Sequence, residues 1–205
     1  MGEAEPSTLR LIHSAAMQEF LEKDFKSASL RNIVKKAGVT TGAFSGYYAS
    51  KESLFEALVG EPYEHFMGLF QKAQRDFSSI PQEEQPKHLG DISGACMDEM
   101  LLYAYQHLNV FKLILCHSEG TRFSHLIDEM VEIEIKGTHD YLAVLEKIGR
   151  PSPPIDQHLE HVLITGMFNT FFELIIHEMP LEKAQHYLKE MRAFYTAGWM
   201  KIMGQ

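Results

Sequence analysis

The sequence predicts an all-α protein in two unequal parts, and three observations carry the prediction. No stretch alternates apolar and polar residues with period two, and β-branched residues are scattered, so no strand pattern emerges. Apolar residues instead recur every three or four positions along almost all of the chain, the spacing that puts them on one helix face. Clusters of Gly, Pro and Ser punctuate these segments, and RPSPP at 150–154 and Met179-Pro180 are the clearest breaks.

A first helix is expected over residues 8–23, with Ile12, Ala15, Ala16 and Phe20 facing inward. Ser29 is placed to cap a second helix over 29–37, with Ile33, Val34 and Ala37 on one face. Gly38 stops it, because glycine takes positive φ at no steric cost. Thr40 caps a short third helix that runs to Tyr48. Ser50 opens a long helix to about Phe77, with Lys51 in its first turn. Pro62 falls inside it and removes the hydrogen bond to the Leu58 carbonyl, so a kink is expected there, mobile or static. The polar, proline-containing stretch 78–87 reads as a loop. Further helices are expected over 91–107, 110–117, 121–148, 155–178 and 181–203, and no internal repeat is present.

Composition narrows the class. With 205 residues, 45% of them hydrophobic and 23% charged, the chain is neither disordered nor disulfide-dense, and it is long enough to bury a sizeable core. Two cysteines, Cys96 and Cys116, fit neither a disulfide framework nor a zinc site, which points to a reducing cytoplasm. The opening MGEAEPSTLR is acidic and polar, unlike a signal peptide. The most apolar run, 162–176, is interrupted by Thr165, Asn169, Thr170 and Glu173, so no membrane partner is expected. The chain lacks GxSxG, GxGxxG, P-loop and HExxH patterns, and no enzyme activity, cofactor or metal is expected. His158 and His161 lie one turn apart but read as a solvated face. Net charge is −9, yet from Lys26 to Lys51 there are five basic residues (Lys26, Arg31, Lys35, Lys36, Lys51) and no acidic one. Residues 53–205 hold 12 basic against 22 acidic residues, a balance of −10. A basic segment on an acidic body suits a local phosphate-binding surface, and it equally describes a solvated helix face.

Two short helices joined by a Gly-containing turn at 29–48 make a helix-turn-helix, whose second helix enters the major groove. Backbone N–H groups at the helix start after Ser50, beside Lys51, suit a phosphate. The stretch resembles the TetR family. The resemblance rests on Ile33-Val34, Ala37-Gly38-Val39-Thr40, Gly42, Phe44, Tyr48, Ser50-Lys51-Glu52 and Leu54, with Ile12, Ala15, Ala16 and Phe20 upstream, and covers about residues 9–58. Departures are Ser45 and Gly46 where larger polar residues are usual, Val34 for a small residue, and Asp24 for the glycine that ends the first helix. Asp tolerates positive φ better than most residues, so that helix end is expected to be kept. The resemblance implies DNA contacts through Ser29, Thr40, Thr41, Gly42, Ser45, Gly46, Tyr47 and Lys51, with Thr40, Tyr47 and Lys51 on phosphates. Phe44 and Tyr48 are expected in the core, and without Arg, Asn or Gln on the recognition helix some specificity falls to DNA shape. It further implies a DNA-binding domain at 1–50 and an effector-binding and dimerisation domain at 51–205. The expected partners are double-stranded operator DNA, an unknown small-molecule effector and a second copy of the chain.

In the last helix, Leu181, Ala184, Leu188, Met191, Tyr195, Gly198 and Ile202 are spaced 3-4-3-4-3-4, a seam for packing on another helix. With the apolar helix before it, this seam suits a two-fold dimer, or else an intramolecular core. Met67, Phe70, Met97, Met100, Tyr103, Phe111, Phe123, Tyr141, Phe168 and Phe172, with Met130 and Met167, suit an apolar effector pocket or plain core. Glu173 and His177, four residues apart on one helix, read as a mutually satisfied pair or as a contact to effector. A different function also fits the residues: a helical ligand-binding or interaction protein that has lost DNA binding.

Overall fold

The computed structural model describes residues 7–205, and the acidic opening at 1–6 lies outside the described residues. Among the described residues the chain is helical throughout, with α1 at Thr8–Ser27, α2 at Leu30–Ala37, α3 at Thr41–Ser45, α4 at Lys51–Ser78, α5 at Asp91–Gln106, α6 at Leu108–Cys116, α7 at Leu126–Lys147, α8 at Gln157–Ile176 and α9 at Leu181–Ile202. The expected α7 began too early: Arg122–His125 forms a separate 3-10 turn before it.

The helices divide into two compact units, one containing the chain up to Glu64 with His107–Ser124, the other His65–Gln106 with His125–Gln205. The division differs from the expected boundary at residue 50. The start of α4 and all of α6 belong with the helix-turn-helix, and α4 continues from the first unit into the second.

In the first unit, Ile12, Ala16, Phe20, Ile33, Leu54 and Phe55 are fully buried. The Phe20 and Phe25 rings meet Phe55 at 5.0 and 5.1 Å, edge to face. Each such buried side chain contributes about 1.5–3 kcal/mol. Ser7 caps α1 by accepting from the Arg10 N–H at 3.3 Å. The helical path of α1 breaks at Asp24, whose φ of 61° and ψ of 162° lie in a region held almost only by glycine. His117, just beyond α6, secures the break: its carbonyl accepts from the Phe25 N–H at 2.9 Å, and its Nδ1 is hydrogen-bonded to the Asp24 carboxylate. Arg122 adds a second tie, pairing with Glu56 and Glu64 of α4 at 3.0 Å while its guanidinium lies over the Phe123 ring. These contacts explain why 107–124 joins this unit.

Gly38 takes φ 65°, and the Val39 N–H reaches back to the Val34 carbonyl at 3.3 Å, which closes α2 as a Schellman turn. Ser50 and Ser53 cap α4 reciprocally, each hydroxyl accepting the other's N–H at 3.1 Å.

In the second unit α8 packs on α7, and α9 packs on α5 and α8. Asp156 caps α8 through the His158 and Leu159 N–H groups. Taken whole, α8 is long and apolar enough to cross a bilayer by length and composition, a correction to the reading drawn from 162–176 alone. Here Ile164, Phe168, Phe171, Phe172 and Ile175 are buried among the unit's own helices. The α9 seam is also corrected. Ala184 and Leu188 have no exposed surface within a single chain, so these two face the chain's own core, while Leu181, Met191, Tyr195 and Ile202 are half-buried and Gly198 is exposed. The apolar side chains that α9 leaves outside are Tyr187, Phe194 and Met200.

Candidate nucleic-acid interface and ligand cavity

The helix-turn-helix presents its second helix with little side chain on it. Thr41, Gly42, Ser45 and Gly46 are all exposed, and Tyr47 beside them is 51% exposed. Phe44 is buried and Tyr48 half-buried, its hydroxyl joined to His13 of α1. Alternate sides of this turn therefore go to core and surface, as the sequence suggests. The helix is shorter than expected. It ends at Ser45, and the Tyr47 and Tyr48 N–H groups both turn back to the Phe44 carbonyl. Thr40 caps it by accepting from the Ala43 N–H at 3.1 Å, which leaves the hydroxyl proton available to an outside acceptor. Ser29 sits at the N-cap of α2 but its side chain makes no cap bond; its N–H donates to Glu19 at 3.4 Å.

The basic run is less free than its composition suggests. Lys36 pairs with Glu19 at 3.0 Å and Glu22 at 2.8 Å, and Lys26 pairs with Glu119 at 2.5 Å. The Lys51 ammonium donates to the Lys26 and Ala28 carbonyls, both at 3.1 Å, and lies 4.6 Å from the Phe25 ring centre. Lys51 thus satisfies carbonyls that the end of α1 leaves open, a role not anticipated for it. Arg31 and Lys35 are exposed and form no ion pair among the described residues. Glu19 was missed altogether. It is buried on the α1 stripe between Ala15, Ala16 and Phe20, and its spacing from Ala15 and Ala16 was the available signal. Burial pushes its carboxyl up, but bonds from Lys36, Asn32 and the Ser29 N–H outweigh that and hold it below the usual range.

The second unit holds a half-open cavity of about 160 Å³ between α4, α5, α7, α8 and α9. Of the residues expected to line a pocket, Phe70, Met97, Met100, Met130, Tyr141, Met167 and Phe168 do so. Met67, Tyr103 and Phe172 do not: Tyr103 stacks on His65 and Phe172 packs between Phe66 and Phe171. Phe111 and Phe123 belong to the other unit, as buried core. Leu188, Met191 and Tyr195, expected at a dimer seam, line the cavity instead.

Polar groups on this wall escaped the sequence reading. Glu134 accepts from the Gln74 amide at 2.7 Å, and burial pushes its carboxyl up to about 6 against the pull of that bond. Gly137 makes room for Gln74; a Cβ there would come within 2.3 Å of the Gln74 Oε1. Arg192 pairs with Asp98 at 2.9 Å and lies against α5 where Gly94 has no side chain, a Cβ there falling 1.7 Å from its Nη2. The Cys96 thiol is pushed up to about 12 by burial, aided by Glu99 and Glu134, and stays a neutral thiol. Glu173 and His177 pair with each other at 2.7 Å on the exposed side of α8 and do not line the cavity.

Comparison with known proteins matches these features. Residues 12–58 fit the family model described as bacterial regulatory proteins of the tetR family. A probable HTH-type transcriptional regulator of Bacillus subtilis, YttP, is 30% identical over 122 residues, which are 60% of this chain and only 54% of that protein. A TetR-family regulator from Streptomyces coelicolor shares the fold at 14% identity with a TM-score of 0.58, covering 97% of this chain and 93% of that one. The transcriptional regulator FadR of Bacillus subtilis, solved in complex with stearoyl-CoA, does so at 14% identity with a TM-score of 0.54, covering 92% of this chain and 97% of that one. Residues 12–58, which carry the exposed helix-turn-helix, are thus similar to the tetR family of bacterial regulatory proteins, and the all-helical fold is shared with solved TetR-family regulators.

Proposed function

We propose that the chain is a dimeric transcriptional repressor of the cytoplasm, held on operator DNA by its helix-turn-helix and released by a small apolar or amphipathic effector. The observation that carries this reading is that one chain combines an exposed recognition helix with a separate, largely apolar cavity. Thr41 and Ser45 are the side chains nearest the bases, so affinity rests mainly on phosphates and on DNA shape. An effector is supported by the cavity and by the stearoyl-CoA in the structure of FadR, which shares the fold. A two-fold dimer is supported by the outer face of α8 and α9, where Val162 is 63% and Phe194 74% exposed. Two-fold symmetry calls for a near-palindromic operator with half-sites roughly 34–36 Å apart.

A ligand-binding protein without DNA binding is the second reading. It is favoured by the internal engagement of Lys26, Lys36 and Lys51 and by the bare backbone at Gly42 and Gly46. Fluorescence anisotropy with DNA from upstream of the protein's own gene separates the two. Saturable binding that weakens steeply with salt and is outcompeted poorly by unrelated DNA is expected of the repressor. Equal affinity for both DNAs, or none at low salt, would favour the second reading.

A further inference from the structure

The cavity wall carries two ionised side chains among the described residues, and they are not equivalent. Arg192 has its counter-charge within the fold, the Asp98 carboxylate at 2.9 Å. Glu134 has none. Its partner is the neutral amide of Gln74 on Oε2, and Oε1 carries no hydrogen bond to another described residue. The wall is therefore negative by one charge, and that charge faces rings and thioethers. Phe70, Phe77, Tyr141, Phe168, Phe171 and Trp199 all border the same space. Aromatic faces attract cations, and a half-buried carboxylate without a counter-charge gains from a ligand that brings the missing positive charge. The site is also built. Gly137 exists as a gap that lets Gln74 reach and orient Glu134, so the carboxylate is held in place before any ligand arrives.

Resting on the reading of the cavity as an effector site, we propose that its ligand is a lipophilic cation, an amine or ammonium on an apolar or aromatic body, recognised through Glu134. The ammonium donates to Glu134 Oε1 while the apolar body fills the Met- and Phe-lined space. A ligand carboxylate is disfavoured by the same charge, because Arg192 is already matched.

Trp199, the chain's single tryptophan, borders the cavity and reports its occupancy. Quenching of its fluorescence in the intact protein at pH 8 is titrated with three probes of one chain length: octylamine, 1-octanol and octanoate. Octylamine is expected to bind at least about tenfold more tightly than octanol, the size of a charge-assisted hydrogen bond, with octanoate weakest. Glu134→Gln should bring octylamine close to octanol and leave octanol unchanged. A wild-type measurement at pH 5.5 needs no variant: octylamine stays charged, Glu134 gains a proton, and the advantage of the amine shrinks. Burial pushes the Cys96 thiol and the Tyr141 hydroxyl up, so both stay neutral over this range. Octanoate binding more tightly than octylamine would overturn the proposal in favour of recognition by Arg192. Equal affinity of all three, or no quenching by any, would overturn it as well. Octylamine that binds through Glu134 but fails to release bound DNA supports the proposal and refutes the release step of the proposed function, so the two fail separately.

Discussion

Replacing Asp24 by glycine and, in a second variant, by alanine isolates the energy stored where α1 breaks. At φ 61° and ψ 162° an L-residue is held in a conformation that costs of order 1–3 kcal/mol. Both replacements remove the carboxylate hydrogen bond to His117, so that loss cancels between them. Glycine alone relieves the backbone, and its freer unfolded chain takes back roughly 0.4–1 kcal/mol. The glycine variant should therefore exceed the alanine variant by about 1 kcal/mol, reaching ~2 at the upper end of the strain. In an ordinary helical position the order is reversed, with glycine worse by roughly 0.5–1 kcal/mol. Urea unfolding followed by far-UV circular dichroism measures the difference, provided that the two m-values agree. An alanine variant equal to or more stable than the glycine variant would refute the strained corner.

Other outcomes follow from the same contacts. Lys51→Ala should lower both thermal stability and DNA affinity, and flatten the log–log salt dependence by about one unit if the ammonium also meets a phosphate. An unchanged slope would leave Lys51 a cap for α1 only. Leu188→Ala should cost about 2–5 kcal/mol as a buried-core truncation and leave the assembly state intact, whereas Val162→Glu with Phe194→Glu should give stable monomers in sedimentation. Glu134 binds a proton more readily in the fold (about 6) than in the unfolded chain (4.5), so stability falls as pH rises through this interval. Glu134→Gln should remove that fall and gain about 1–2 kcal/mol at pH 8, with little gain near pH 4.5, as read from chemical denaturation at both pH values. On the proposed function, Pro62→Ala should leave the assembly state unchanged and change effector-driven release more than effector-free DNA affinity if the residue is a hinge; an equal effector response in both proteins would make it architecture alone.

Helix existence and order were legible because each helix carries a 3-4 apolar spacing and most ends carry a cap. The same spacing misled at α9. A stripe of Ala184 and Leu188 specifies that something packs there and is silent on whether the partner is the same chain or another. The recognition helix was overextended because glycine at 42 and 46 weakens helical continuation more than the register match implied. Pocket residues chosen by type alone scattered between cavity, core and even the other unit, since Phe111, Phe123 and Phe168 look alike in sequence. The polar members of the site were invisible for a different reason. Glu134 and Gln74 sit sixty positions apart, and nothing local marks a carboxylate that will face a cavity rather than water. Glu19 was within reach, because an acid in step with Ala15 and Ala16 has to be buried and paired.

Gly94 and Gly137 give the cavity an unusual susceptibility to inherited change. A glycine codon becomes an alanine codon by one base substitution, and at either position the single methyl group collides with a polar side chain rather than with backbone. At 137 the Gln74 amide that donates to Glu134 would have to shift, and at 94 the Arg192 guanidinium would. Each change therefore acts on a polar or charged group of the cavity wall rather than on the backbone of a helix. On the proposed function, selection for a new effector, in nature or on a plate, has a short path through these two positions.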